Sequence, residues 1–330
     1  MTSGDNAAMA RVFVTHQLPG DALQRLAETH KTTIWPDSLP LSYAELRRQA
    51  ATVDGLLTMV SDQIDKPLIE ASWNLRVISN YGVGYDNIDV AAAAARGIPV
   101  GNTPDVLTEA TADHTWALLM TAARRIPEAQ EWARAGNWED WGPELFLGAD
   151  VHGATLGVIG FGRIGKAVAR RAEGFGMRVL WVGRPNRRGS AKAFDRLLRE
   201  SDFITLHTPL TRETRHLIDA SALTKMKSTA ILINTARGGI VDQLALADAL
   251  ATGQIGGAAL DVTDPEPLPP DNALWQAPNL VLSPHIGSAT TSARAKMTEL
   301  ATDNLLAGLA GKPLPHQVPV PPRPRLPEPD

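Results

Sequence analysis

The sequence predicts an α/β protein with two parallel-sheet domains, each doubly wound with helices on both faces of its sheet. Its 330 residues suffice for about two domains of ordinary size. Short apolar or β-branched runs alternate with helical stretches on both sides of a break at Thr103-Pro104. This alternation is typical of parallel sheets covered by helices. A glycine-rich loop after the first strand of the second half favours the same fold class.

The first half, from Arg11 to Asn102, contains five predicted strands separated by helical stretches such as Ser42 to Thr52. In chain order the strands are RVFVT, TTIW, GLLTMV, LRVISN and IPVGN. A helical pattern of unusual length follows, from about Leu107 to Ala135. We expect one long helix there, because helices of that length more often bridge or pack between domains than lie inside one small unit.

The alternation restarts at Ala154, where six further runs indicate buried strands. In chain order they are ATLGVIG, RVLWV, FITLH, AILINT, IGGAALDV and LVLSP. An apolar-periodic helix is expected from Ala293 to Leu309, and the periodicity leaves open whether it packs on the first or the second domain. The residues from Pro319 onward are rich in proline, which predicts an extended or disordered tail because proline lacks the amide that helices and central strands need.

Composition excludes several classes of function. The chain has no Cys, so disulfides, thiolate nucleophiles, iron–sulfur clusters and zinc–thiolate sites are ruled out, and redox chemistry requires a bound cofactor. The formal net charge of -4 and the lack of a long basic run argue against nucleic acid as a partner. No signal-peptide pattern and no apolar run of about 18 residues occurs, so we expect a cytoplasmic protein without membrane contact. No metal-binding motif such as H-E-x-x-H occurs, and no metal is expected.

The glycine loop GVIGFGRIG predicts a dinucleotide site. It places Gly160, Gly162 and Gly165 in G-x-G-x-x-G spacing between an apolar strand and a helix predicted from Arg163 to Gly174. In such loops the first glycine makes a tight turn, the second lets the backbone approach a pyrophosphate, and the third lets helix and strand pack closely. The alternative is an ordinary glycine turn, which the strand and helix on either side disfavour.

The strand RVLWV lacks the acid that would bind the adenosine ribose of NAD. Gly183-Arg184-Pro-Asn-Arg187-Arg188 follows it, and no Asp or Glu occurs between Glu173 and Asp195. Arginine at this place can hold a 2′-phosphate, so we expect NADP(H) to be preferred, with NAD(H) also possible. The alternative is that these arginines belong to a solvated surface loop.

Three polar side chains follow strands of the second half: Arg237, Glu266 and His285. Each alone could be a turn cap, a surface carboxylate or a loop histidine. Together with a nicotinamide site they match what reduction of a 2-oxo acid needs. A cationic fork holds the carboxylate, a proton donor serves the carbonyl oxygen, and an acid keeps that donor protonated.

At these residues the chain resembles the D-isomer-specific 2-hydroxyacid dehydrogenases. The stretches that carry the resemblance, which spans roughly residues 50 to 315, are NYGVGYDNID, GATLGVIGFGRIG, INTARGGIVD, ALDVTDPEPLP and SPHIGSAT. Within that family the chain is most similar to glyoxylate/hydroxypyruvate reductases. The resemblance implies a Rossmann NAD(P)-binding domain inserted into a flavodoxin-like substrate domain. The expected division is 1–103 and 290–318 for the substrate domain, 104–289 for the cofactor domain, and 319–330 for the tail.

The resemblance also implies the roles of individual residues. Arg237 would bind the substrate carboxylate and carbonyl, Glu266 and His285 would deliver the proton, and backbone amides around Val83 and Gly84 would hold the carboxylate. The implied cofactor contacts are Gly160, Phe161, Gly162, Arg163, Ile164, Gly165, Gly183, Arg184, Arg187, His207, Thr208, Pro209, Thr235, Ala236, Arg237, Asp261, His285 and Gly287. Among these, Asp261 is expected to bond the nicotinamide carboxamide, with a strand-end cap as the alternative.

Members of the family are commonly homodimers, so the resemblance implies that state here. A tryptophan of a W-x-x-W loop would then reach the neighbouring active site. Of Trp138 and Trp141 we favour Trp141, and interface packing is the alternative. Two other functions remain open: another 2-hydroxyacid dehydrogenase, of the 2-ketogluconate, phosphoglycerate, formate or D-lactate type, and a dinucleotide-sensing binding protein. The complete set of Arg237, Glu266 and His285 disfavours a pure sensor.

Overall fold

The computed structural model describes residues 9–36, 41–183 and 190–320. The chain forms two compact units, one made of Met1–Leu107 with Thr290–Asp330 and the other of Thr108–Ala289. The strands are β1 Arg11–Val14, β2 Lys31–Ile34, β3 Gly55–Met59, β4 Val77–Tyr81, β5 Val100–Gly101, β6 Thr155–Ile159, β7 Arg178–Val182, β8 Phe203–Leu206, β9 Ile231–Asn234, β10 Gly257–Leu260 and β11 Leu280–Leu282. The α-helices are α1 Ala22–Thr29, α2 Tyr43–Ala50, α3 Lys66–Ala71, α4 Val90–Ala95, α5 Thr108–Ala123, α6 Ile126–Arg134, α7 Arg163–Ala172, α8 Ala191–Glu200, α9 Ala220–Thr224, α10 Gln243–Ala251 and α11 Thr291–Leu309. Every one of the predicted apolar runs therefore forms a strand.

The first unit contains a five-stranded parallel sheet in the order β2-β1-β3-β4-β5, which is the flavodoxin-like order. Helix α11 packs against β4, β3 and α1 of this unit. Ser79 of β4 reinforces that packing, because its hydroxyl donates a hydrogen bond to the carbonyl of Ala301 at 2.8 Å. The C-terminal helix thus returns to the first unit, and the predicted insertion of one domain into the other is confirmed.

The second unit contains a six-stranded parallel sheet in the order β11-β10-β9-β8-β6-β7. Its central strands β8, β9 and β10 are buried on both faces. Leu232 of β9 packs into one apolar core with Leu206, while Ile231 and Ile233 pack into the other with Val158. The chain winds from β6 to β7 in one direction and then crosses back to β8 on the other side of β6. Ligands of such sheets bind outside the carboxyl ends of the strands at this switch point.

The single long helix expected from Leu107 to Ala135 is wrong, because the chain forms α5 and α6 with a break between them. Arg125 adopts a left-handed conformation with φ of 52°, which no α-helix accommodates. Pro127 has no amide to bond the last turn of α5, and it lies in the first turn of α6, where proline is tolerated. The helix after the glycine loop, predicted to reach Gly174, ends at Ala172, and a 3-10 turn, Glu173–Phe175, follows it directly.

Within the described part of the chain, no helix combines the length and apolar character that crossing a membrane would require. The proline-rich tail lies outside the described residues from position 321 onward.

Candidate active site

The glycine loop connects β6 to α7, and two of its glycines are required by packing. Gly160 has φ of 93°, and a Cβ there would lie 2.4 Å from the main chain of His207. A Cβ on Gly165 would lie 2.1 Å from the carbonyl oxygen of Gly160. Gly162 differs, since apart from its own neighbours in the chain no atom of the described residues lies within 4 Å of the position its Cβ would take.

The space at Gly162 lies in front of the N-terminus of α7, where Gly162 is the N-cap and Arg163 and Ile164 begin the helix. The first amides of a helix have no intrahelical acceptor and carry partial positive charge, so they bind phosphate groups. The loop therefore fits the pyrophosphate of a dinucleotide. Phe161, between the two turn glycines, stacks on Trp181 of β7 with 4.4 Å between ring centroids.

The adenosine side of this site follows β7 and β8. The described residues reach Gly183 after β7, and Arg184 and Arg187 lie outside them. After β8, Thr208 is buried and Pro209 is exposed. Burial lowers the pKa of His207 from its ordinary 6.5 to about 3, and its Nε2 lies 2.9 Å from the hydroxyl of Thr205. His207 is thus uncharged at neutral pH.

Arg237 follows β9, the strand next to β8 in the six-stranded sheet. The fully buried Asn234 fixes its backbone, donating from Nδ2 to the carbonyl of Arg237 at 2.8 Å and accepting from the amide of Ala236 at 3.0 Å. The guanidinium donates to the carbonyl of Ala236 at 2.8 Å, and the side chain is half-buried. Thr235 bonds back to Thr115 of α5 through their hydroxyls, which lie 2.9 Å apart.

His285 and Glu266 form a close pair. His285 Nδ1 lies 2.7 Å from Glu266 Oε2, and the two side chains are 33% and 32% exposed. Because an ionised carboxylate only accepts hydrogen bonds, Nδ1 carries the proton of this contact and Nε2 is left for another partner. The second oxygen of Glu266 accepts from the amide of Thr263 at 3.1 Å, which fixes the carboxylate.

Asp261, directly after β10, is almost fully buried and accepts four hydrogen bonds. The donors are His114 Nε2 at 3.1 Å, Ser283 Oγ at 2.6 Å, and the amides of Ile286 and Gly287 at 2.8 Å each. Burial alone would raise the pKa of Asp261, but hydrogen bonds from His114, Ser283 and Ile286 hold that pKa below its ordinary value. The carboxylate therefore organises the loop that carries His285. A bond from Asp261 to the nicotinamide carboxamide stays a prediction.

Val83 and Gly84 follow β4 in the first unit, whereas the other site residues belong to the second. The carbonyls of their loop are all engaged: Gly82 accepts from the amide of Thr103, Val83 from the side chain of Asn102, and Gly84 from the side chain of Asn80. The amides of Val83 and Gly84 donate to no acceptor among the described residues. This arrangement leaves two backbone donors that could hold a carboxylate.

The segment from 126 to 147 exposes large apolar side chains. None of the residues of α6, Ile126–Arg134, is buried. Trp138 is 72% and Trp141 79% exposed, and Ile126, Leu145 and Leu147 are exposed as well. We call these five side chains the apolar segment. Within the described ranges, no group of three or more His, Asp or Glu residues could hold a metal ion.

Three residues that shape the site did not emerge from the sequence: Asn234, Ser283 and His114. Asn234 and Ser283 stand at the ends of β9 and β11, and polar residues at strand ends are the one signal that could have suggested them. His114 lies within α5, where nothing in the sequence indicates its partners.

This fold and this site define a nicotinamide-dinucleotide-dependent oxidoreductase. The family model described as "D-isomer specific 2-hydroxyacid dehydrogenase, NAD binding domain" matches residues 116–287. The chain is 47% identical over 310 residues to a glyoxylate reductase of Korarchaeum cryptofilum, covering 92% of this chain and 93% of that protein. It is likewise 47% identical over 308 residues to a glyoxylate reductase of Thermococcus kodakarensis, covering 90% of this chain and 92% of that protein.

Solved structures of similar proteins support the same family. An NADPH-dependent glyoxylate/hydroxypyruvate reductase from Sinorhizobium meliloti, crystallised with NADP and malonate, is 35% identical with a TM-score of 0.83, covering 94% of this chain and 97% of that chain. A protein from Thermus thermophilus is 49% identical with a TM-score of 0.85, covering 93% of this chain and 99% of that chain. The chain belongs to the D-isomer-specific 2-hydroxyacid dehydrogenases.

Proposed function

We propose that this enzyme reduces glyoxylate and hydroxypyruvate to the corresponding 2-hydroxy acids, with NADPH as the preferred hydride donor. The observation that carries the proposal is the 2.7 Å contact between His285 and Glu266, because it provides an oriented proton donor. Arg237 stands at the end of β9 in the same sheet. Relatives named glyoxylate reductase support the substrate class.

Arg237 is the residue that binds the 2-oxo acid in this proposal. Its planar guanidinium can donate two parallel hydrogen bonds to a carboxylate, or one each to the carboxylate and the carbonyl oxygen. The amides of Val83 and Gly84, which have no acceptor among the described residues, are the other candidate donors for a carboxylate. When bound, the reduced nicotinamide supplies the hydride that reduces the 2-carbon.

His285 supplies the proton for the carbonyl oxygen. Glu266 accepts the hydrogen bond from Nδ1, so it fixes the orientation and the tautomer of the ring. The proton on Nε2 is then available to the oxygen that gains charge as the carbonyl is reduced. The amide of Thr263 donates a hydrogen bond to the other carboxylate oxygen of Glu266, which helps to fix the carboxylate beside His285.

Preference for NADPH rests on the residues after β7. No acid stands between Glu173 and Asp195 to bond the ribose hydroxyls of NAD. Arg184 and Arg187 are positive and could pair with a 2′-phosphate. The related enzyme from Sinorhizobium meliloti is NADPH-dependent, which supports the same preference here.

We further propose that the enzyme is a homodimer held by the apolar segment. Five large apolar side chains exposed together on one stretch of chain are typical of a protein interface. Trp141, the most exposed of them, would reach the active site of the neighbouring copy.

The test is steady-state reduction of glyoxylate and hydroxypyruvate with NADPH and with NADH, on the wild type and on Arg184→Ala. We expect both acids to turn over, NADPH to be preferred, and Arg184→Ala to lose that preference. Lys192→Ala, a change just beyond the basic loop, is the matched control and should keep it. Equal use of NADH by the wild type would refute the cofactor preference, and lack of turnover of both acids would refute the substrate assignment.

A further inference from the structure

A buried polar network lies behind the loop that carries His285. His114 Nε2, from α5, lies 3.1 Å from Asp261 Oδ1 and 3.0 Å from Ser283 Oγ. Ser283 Oγ in turn donates to the same oxygen of Asp261 at 2.6 Å. The side chain of Asp261 is 1% exposed and that of His114 is 17% exposed. The network therefore joins a helix to the ends of β10 and β11 away from bulk water.

The chemistry of these three groups fixes where the protons lie. The carboxylate of Asp261 can only accept hydrogen bonds, and Ser283 uses its single hydroxyl proton to bond it. His114 Nε2 faces both a carboxylate oxygen and a hydroxyl oxygen whose proton is already committed. It must therefore be the donor, and an imidazole protonated on Nε2 meets that need.

The same carboxylate determines the backbone of the loop around His285. Asp261 accepts from the amides of Ile286 and Gly287 through its side chain, and from the amide of His285 through its carbonyl at 2.8 Å. His285 has φ of 53°, a left-handed conformation that is uncommon for residues other than glycine. Any movement of the Asp261 carboxylate thus moves the main chain on either side of the imidazole.

We propose that His114 is a positioning residue, which holds the Asp261 carboxylate and through it the loop that aims His285 at the substrate. The inference rests on the proposed role of His285 as proton donor. Without the Nε2 donor, the Oδ1 atom of Asp261 keeps two hydrogen bonds, from Ser283 and Ile286, and is drawn toward them. A displacement of about 1 Å at the imidazole suffices to slow proton transfer, because reaction rates depend steeply on alignment.

The alternative is that His114 only fills space between α5 and the sheet. Its ring does pack near Gly287, where a Cβ would lie 3.9 Å from His114 Cδ2. A ring of similar size without the donor would satisfy a packing role, whereas the positioning role needs an N–H at the place of Nε2. Phenylalanine and glutamine separate the two, because the amide nitrogen of glutamine can occupy roughly the position of histidine Nε2.

The experiment compares His114→Phe, His114→Gln and the wild type by steady-state glyoxylate reduction with NADPH. Calorimetric titration of NADPH and hydrogen exchange of the amides of residues 285–287 are measured on the same proteins. Asp113→Asn is the matched control, since Asp113 lies beside His114 on α5 but forms an exposed ion pair with Arg171. Melting temperatures are recorded to show that every variant is folded.

We expect His114→Phe to lower kcat by about 10- to 100-fold and to accelerate exchange at Ile286 and Gly287. Its KM for glyoxylate and its NADPH affinity should stay within about threefold of the wild type. His114→Gln should recover most of kcat and of the exchange protection, and Asp113→Asn should match the wild type in both. Wild-type kcat with slow exchange in His114→Phe would overturn the inference, as would a His114→Gln variant as impaired as His114→Phe.

Failure of the proposed function gives a different result. If His285→Asn turns over glyoxylate at the wild-type rate, His285 is not the proton donor, independently of the results with the His114 variants. Accelerated exchange at Ile286 and Gly287 in His114→Phe would then still support the contact of His114 with this loop. Unchanged exchange would overturn that contact independently of any activity.

Discussion

Asn234 holds Arg237 by its main chain: the side-chain amide donates to the carbonyl of Arg237 at 2.8 Å and accepts from the amide of Ala236 at 3.0 Å. Asn234 is fully buried at the end of β9, so these bonds are shielded from water and the turn has little freedom. The main chain that carries the guanidinium is therefore fixed, which is what a carboxylate-binding arginine requires.

The variant Arg237→Lys tests whether the guanidinium of Arg237 binds the substrate carboxylate. A lysine keeps the charge but offers a single point of contact in place of a planar fork, so the aligned 2-oxo acid loses hydrogen bonds. We predict that kcat/KM for glyoxylate falls by about 100-fold, or about 2.7 kcal/mol, with an increase in KM. Steady-state kinetics measure this. Arg215→Lys, on an exposed ion pair with Asp264, is the control, and equal kinetics of the two variants would contradict the role of Arg237.

The glycine loop allows a paired test of packing against cofactor binding. Gly165→Ala places a Cβ against the carbonyl of Gly160, so we predict a loss of about 1–3 kcal/mol in the free energy of unfolding. Gly162→Ala meets open space and should fold nearly as well, but its methyl group would occupy the approach of the pyrophosphate. We predict that it weakens NADPH binding by about tenfold. Urea unfolding and calorimetric titration are the measurements, and full NADPH affinity in Gly162→Ala would place the pyrophosphate elsewhere.

His207 makes the fold sensitive to acid. Its pKa is 6.5 when unfolded and about 3 in the folded chain, because burial disfavours the charged form. Between these values the unfolded state binds more protons, so stability falls as the pH decreases from 6.5 toward 3. We predict that His207→Gln loses less stability than the wild type over this range, by on the order of a few kcal/mol. Urea unfolding at pH 7 and pH 4 measures the difference; an identical change in both proteins would mean that His207 is not buried neutral.

The apolar segment predicts an oligomeric state that can be disrupted. The double variant Trp141→Ser, Leu147→Ser removes two exposed apolar side chains from it, so the dimer should dissociate into folded monomers. Light scattering coupled to size exclusion reports the mass of the particle. Trp73→Ser removes an equally exposed tryptophan of the first unit and should leave the dimer intact. A monomeric wild type would contradict the proposal.

Much of this fold could be predicted because parallel strands buried on both faces leave runs that are mostly apolar, as in ILIN of β9 and FITL of β8, each with one polar residue. The break between α5 and α6 could not. Pro127 is compatible with the first turn of a helix, and the left-handed conformation of Arg125 leaves no mark in a residue type that usually forms helices well.

In the candidate site too, some residues could be predicted from the sequence and others could not. Arg237, Glu266 and His285 could be singled out because their residue types suit one reaction and each follows a strand. The structure shows the contact between His285 and Glu266, and the roles of all three residues stay predictions. The supporting contacts could not, since they join residues far apart in sequence: His114 meets Asp261, which lies 147 positions further along the chain. No local pattern encodes that meeting, which depends on how α5 packs against the sheet.

The most direct test of the proposed chemistry is single-turnover and steady-state reduction of glyoxylate by the wild type and His285→Gln, with NADPH affinity measured calorimetrically on both. If His285 donates the proton, the variant loses turnover by about 100- to 10,000-fold while its NADPH affinity stays near that of the wild type. Turnover within a few-fold of the wild type would show that the proton comes from another group and that the 2.7 Å contact with Glu266 serves only the structure of the loop.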